Sequence, residues 1–157
     1  MSDSGKNLAF IVDTDSTKSY QKSNELYNWS FPNQKAKLIV NKTTSPEGYG
    51  VSSDGTLNFS NDESKLYFGL ALPKIVQDTL LIEEEIVNVE VWTYNEPRLY
   101  TIQEKQLNND KKKSFKTVYH LKKDKLVQIA SKEFPDAILT EDGDENYALI
   151  SRIEPYQ

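Results

Sequence analysis

Apolar and polar residues alternate along much of this chain, in short bursts separated by polar turns. The clearest burst, residues 57–72, reads LNFSNDESKLYFGLAL. Leu57 and Phe59, then Leu66, Phe68 and Leu70, fall at every second position, the period of a strand with one buried face. Between them lies Ser60-Asn61-Asp62-Glu63-Ser64, whose short polar side chains bond nearby backbone and stabilise reversals. Similar patterning predicts strands over 8–12, 25–31, 36–40, 49–53, 87–94, 115–121, 126–130, 137–140 and 147–153. In 25–31 the aromatic residues Tyr27, Trp29 and Phe31 share one face, and Leu26, Asn28 and Ser30 share the other. Lys122-Lys123-Asp124-Lys125 reads as the turn of a hairpin. Leu99, Ile102 and Leu107 suit neither strand nor helix period, and no amphipathic helix stands out. The predicted fold class is all-β.

The burst at 57–72 has a relative near the start of the chain. Ser2-Asp3-Ser4-Gly5-Lys6-Asn7-Leu8-Ala9-Phe10 aligns with Ser60-Asn61-Asp62-Glu63-Ser64-Lys65-Leu66-Tyr67-Phe68, both reading S-[DN]-x4-L-x-F. A third copy from Thr140 to Leu149 keeps the acidic turn before a strand and carries one extra residue. Each unit supplies about four strands, and four antiparallel strands per repeat is the blade of a β-propeller. The expected organisation is a first blade over 1–60 and a second over 61–140, the latter interrupted by a long insertion at about 73–114. Residues 141–157 would begin a third blade with its first strand. On this reading Ser60 is a turn residue at the junction of two blades.

Composition narrows the function classes. The chain has 157 residues, of which 37% are hydrophobic and 11% aromatic, so it can bury a core despite its polarity. Its net charge of -5 argues against nucleic acid, whose phosphates call for a basic face. The one basic run, Lys111-Lys112-Lys113, reads as a solvated loop. No apolar run reaches the ~18–20 residues of a membrane helix. The absence of Cys removes disulfides, thiol nucleophiles and Cys-ligated metals. The polar start, Met1 to Gly5, does not read as a signal peptide.

Candidate chemistry is sparse. Serine hydrolysis of the G-x-S-x-G type needs a Ser on a strained turn with His and an acid. The nearest stretch, Gly50-Val51-Ser52-Ser53-Asp54-Gly55, fits a turn better, and the single His, His120, has no obvious partner. Glu83-Glu84-Glu85 and Asp142-Gly143-Asp144-Glu145 are dense in carboxylates but do not match a calcium loop, and they read as solvated loops. No catalytic, cofactor or metal residues are assigned. Trp29, Trp92, Tyr94 and Tyr119 read mainly as core aromatics, with Trp92 and Tyr94 retained as a candidate binding surface for peptide or glycan.

The blade-start motif, together with the order LNFSNDESKLYFGLALP, VNVEVWTYNEP and FKTVYHLKKDKLVQIA, resembles the N-terminal β-propeller of prolyl oligopeptidase-like serine peptidases from Bacteroidetes. The resemblance covers about residues 8–153. It implies a non-catalytic partial propeller, a fragment of a larger peptidase, that gates or positions peptide for a hydrolase domain outside this chain. The implied partners are that hydrolase domain and a peptide substrate, with no nucleic acid and no membrane. Open sheet edges would also favour self-association. A periplasmic or extracellular location follows from the resemblance alone. The competing expectation is a stand-alone β-sheet module, or TolB-like scaffold, that binds a peptide, glycan or protein.

Overall fold

The structure is a computed structural model that describes residues 1–15, 22–74 and 98–152. Residues 83–85 and the expected strand at 87–94, with Trp92 and Tyr94, lie outside the described residues. Strands dominate, all neighbouring pairs are antiparallel, and one helix is present among the described residues.

Three sheets form along the chain. The first contains β1 (Asn7–Asp13), β2 (Asn24–Ser30) and β3 (Lys37–Val40) in that order. The second is built on β6 (Lys65–Ala71), flanked on one side by β4 (Gly50–Val51) and β5 (Asn58–Phe59). On the other side it continues to β7 (Phe115–His120) and β8 (Lys125–Gln128). The third is the hairpin β9 (Asp136–Ile138) and β10 (Leu149–Ser151). The 57–72 burst is therefore a hairpin of one sheet, because Asn58 and Phe59 pair with Tyr67 and Leu66. Pairing puts the break between the first two sheets after Val40, so the turn at Ser60 lies within the second sheet.

Strand period decides which side chains meet. On the first sheet Ile11 pairs with Leu26, and Ala9 with Asn28. This face joins Ile39 and Val40 against Val51, Leu66, Phe68, Leu70 and Tyr119 of the second sheet. Leu26, Val40, Leu66 and Leu70 have no exposed surface. The opposite face of the second sheet carries Lys65, Tyr67 and Gly69, and it is covered by the turn of the third sheet, where Tyr67 Oη donates to the Gly143 carbonyl. Covering on both faces explains why Lys65 to Leu70 are buried without alternation.

The aromatic residues separate accordingly. Tyr119 belongs to the core, and burial together with the Asp124 carboxylate its hydroxyl bonds pushes its pKa up to about 12. Trp29 and Tyr27 lie on the other side of β2 from Leu26, half-buried, with Tyr27 stacked on Phe10 at 5.7 Å. The expectation that Trp29 is a core aromatic is thus corrected: its strand buries the Leu26 side.

A further correction concerns the stretch that fits neither period. It forms α1 (Tyr100–Lys111), which buries none of its residues. A helix with no buried side needs no apolar stripe, so no period marks it. Gln, Glu, Lys and Leu favour it locally. Arg98, which precedes the helix, also reaches Asp110 near its end at 3.0 Å.

Candidate functional site

The most organised polar feature is a series of three turns, one at the start of each repeat. In the first, Ser2 N–H donates to Asn7 O and Gly5 N–H to Ser2 O. In the second, Ser60 N–H donates to Lys65 O and Glu63 N–H to Ser60 O. The serine hydroxyls also correspond, because Ser2 Oγ accepts from Asn7 N–H and Ser60 Oγ from Lys65 N–H. In the third, Gly143 N–H donates to Thr140 O. Gly5, Glu63 and Gly143 share the left-handed conformation, with φ of 71°, 53° and 67°. That region disfavours residues with a Cβ, so a glutamate there has to be held by something else.

What holds it is the preceding turn. Glu63 accepts from Ser4 N–H at 2.8 Å, Ser4 Oγ at 2.9 Å and Asn7 Nδ2 at 2.9 Å. These donors, the Ser4 hydroxyl first, hold its carboxyl at about 2, well below the usual range. The link from the third turn to the second has the same form. Asp62 N–H, at the place of Ser4, donates to Asp144 at 2.9 Å, and Asn61 N–H donates to Asp142 O at 3.0 Å. The Lys65 ammonium adds bonds to the carbonyls of Asp144 and Glu145. Asp62 itself accepts from Ser60 and Ser64 and is also held at about 2. The first and second turns thus each offer an amide that the next turn meets with a carboxylate.

Beside this series lies a cleft of about 690 Å³. Its walls come from Leu57 to Ser60, Tyr67 to Gly69, Lys116 and Ala137 to Gly143, with Met1 to Asp3 at one side. The chain packs tightly where it crosses β6: a Cβ on Gly55 would lie 2.7 Å from Gly69 Cα, and one on Gly69, which lines the cleft, would lie 2.7 Å from Ser114 Cβ. Both hydroxyl residues, such as Thr56, Ser60 and Ser114, and charged ones, Asp3, Lys116, Glu141 and Asp142, line the cleft.

A smaller hollow of about 280 Å³ brings His120 near Asp62, Ser64 and Lys65. The three residue types of a serine triad meet here without its hydrogen-bond order. Ser64 Oγ donates to Asp62 at 2.8 Å, and among the described residues no bond joins His120 to a serine. Burial, then the ammonium groups of Lys65, Lys123 and Lys125, lowers the His120 pKa. Ser60, with its hydroxyl tied to Asp62 and Lys65, is a turn residue, as its motif position implies. Among the described residues no group of three or more acidic or His side chains converges as a metal site.

The acidic stretch 142–145 is the feature that sequence reasoning undervalued. It reads as solvated, yet Asp142, Gly143, Asp144 and Glu145 all bond the second repeat. The available signal was its alignment with Ser60–Ser64. Trp92 and Tyr94, the expected binding surface, lie outside the described residues. Comparisons with family models, curated proteins and solved structures give no match to this chain.

Proposed function

We propose that the chain is a non-catalytic run of β-propeller blades that binds or positions peptide for a hydrolase domain of the prolyl oligopeptidase-like type. The observation that carries this reading is the series of turns. The same turn recurs at the start of three units, and an acid-to-amide bond links each to the one before, as expected of blades set side by side around an axis. The first sheet packs on one face of the second, the turn of the third sheet covers the other, and β5, β6, β7 and β8 of the second sheet are neighbours in sequence order, with β4 also on β6. In this arrangement β5 and β9 are innermost strands, and the cleft between them opens toward the axis, where a peptide would pass. α1, which ends shortly before β7 begins, then lies at one end of the blade.

The test uses the complete product of the gene and a fluorophosphonate probe, which labels activated serines. The reading predicts labelling at a serine outside residues 1–157, within a G-x-S-x-G sequence, and none within them. A product that the probe leaves unlabelled, or labels within residues 1–157, would contradict it.

A further inference from the structure

The first two units meet over apolar side chains, whereas the second and third meet over a cleft. Repeat alignment makes Ile11 of β1 the counterpart of Gly69 of β6. Across the ladder Ile11 pairs with Leu26 and Gly69 with Lys116, so Lys116 stands where Leu26 stands one unit earlier. Ile11 and Leu26 pack into the core against the second unit. Gly69 and Lys116 instead line the cleft with Ser114, whose Oγ lies 2.8 Å from the place of a Cβ on Gly69. That wall offers backbone, a hydroxyl and an ammonium where its counterpart offers isoleucine and leucine. The opposite wall stays apolar. Ile138 lines the cleft, and Leu149, its partner across the β9–β10 ladder, shares its face. Leu149 aligns with Phe68, which is 2% exposed, yet Leu149 and Ile138 are 66% and 62% exposed.

We infer that the cleft takes the C-terminal end of a peptide, with its free carboxylate on Lys116 and Ser114 and its last, apolar side chain against Ile138 and Leu149. The inference rests on the reading of the chain as a peptide-binding unit, and it names the part of a peptide that this space accepts. Charge decides which end. Among the described residues no carboxylate pairs with Lys116. An ammonium and a hydroxyl beside an apolar wall suit a carboxylate, which accepts charge-assisted hydrogen bonds. The acidic residues that also line the cleft, Asp3, Glu141 and Asp142, belong to the turns. Asn61 N–H holds the Asp142 carbonyl at the turn end of β6, and Gly69 beside Lys116 lies four residues beyond Lys65, about 13 Å along the strand. The turns repel a carboxylate and the Lys116 end attracts it, so the peptide chain runs from Lys116 toward the turns.

Isothermal titration calorimetry of the chain tests it with the tripeptide acetyl-Ala-Ala-Leu, as the free acid and as the C-terminal amide. The acid is expected to bind about tenfold more tightly than the amide, the worth of a hydrogen bond to a charged group. Lys116→Met is expected to abolish that preference and Lys116→Arg to keep it, with circular dichroism showing each variant folded. The free acid of acetyl-Ala-Ala-Gly leaves Ile138 and Leu149 uncovered and is expected to bind about tenfold more weakly than the leucine peptide. Octanoate carries a carboxylate and an apolar chain without peptide bonds, and it is expected to bind more weakly than acetyl-Ala-Ala-Leu. No binding of the acid, equal binding of acid and amide, or a preference for the acid that survives in folded Lys116→Met overturns the inference. So does a glycine peptide or octanoate that binds as tightly as the leucine peptide. The fluorophosphonate probe reads a serine outside residues 1–157, so its labelling stands or falls separately from these titrations.

Discussion

Replacing Gly69 with alanine probes the closest approach in the structure. Gly69 sits in β6 with both faces covered, and Ser52 N–H donates to its carbonyl as the 52–56 segment crosses the strand. An added Cβ would lie 2.7 Å from Ser114 Cβ, 2.8 Å from Ser114 Oγ and 3.0 Å from Gly55 Cα. Ser114 can rotate its hydroxyl away but not its Cβ, and Gly55 meets the methyl with backbone. Overpacking of this kind costs ~1–3 kcal/mol. Against it stands a gain of ~0.4–1 kcal/mol from a less flexible unfolded chain. The clash wins, and the net loss of about 1–2 kcal/mol corresponds to a melting point lower by about 2–8 °C for a domain of this size. Urea unfolding followed by circular dichroism measures it. Adding Ser114→Gly to Gly69→Ala should recover part of the loss by removing the nearer of the two obstacles, leaving the Gly55 contact. An unchanged or raised melting point for Gly69→Ala would refute the packing argument, as would a double variant no more stable than the single one after correction for Ser114→Gly alone.

Two further perturbations address the links between repeats. Tyr67→Phe removes the bond to the Gly143 carbonyl at 2.7 Å and leaves that buried acceptor unpaired; a loss of about 1–3 kcal/mol is expected in urea unfolding, with the midpoint lowered. Asp62 and Glu63, both held at about 2 in the folded chain, have ordinary values of about 3.9 and 4.3 when unfolded. The folded state therefore binds fewer protons than the unfolded one in this window. Their contribution is fully present above about pH 5 and is lost as pH falls toward 2. Melting followed from pH 7 down to 2 should show this decline, and Glu63→Gln should flatten it; an unaltered pH profile in that variant would show that Glu63 is not held by the first turn.

Strand patterning was legible wherever one face is buried. Leu66, Phe68 and Leu70 alternate in the sequence and alternate in contact with the first sheet. Burial of the intervening Lys65 and Tyr67 was not legible, because it depends on a turn about 80 residues away in sequence that brings carbonyls to a lysine and a tyrosine. The choice of face in β2 was equally hidden: Leu26 and Tyr27 alternate symmetrically, and only packing decides that leucine goes inside. The helix Tyr100–Lys111 left no period because no side of it is buried. Of the candidate site, the three turns were visible as a motif, including Gly5 and Gly143 at the positions that need φ > 0. Glu63 at the same position looked ordinary, since the donors that hold it come from the first turn, more than 50 residues earlier.

The serial link between turns is the claim on which the rest depends, and amide hydrogen exchange reads it directly. Ser4, Asn61 and Asp62 lie in turns, where amides ordinarily exchange quickly, yet each donates to the turn that follows. At pH 7 these three amides should be protected to a similar degree as the central strands. Glu63→Gln should lower the protection of Ser4 while leaving Asn61 and Asp62 protected through Asp142 and Asp144. Rapid exchange at all three amides in the folded wild-type chain, beside protected strands, would contradict a series of linked repeats.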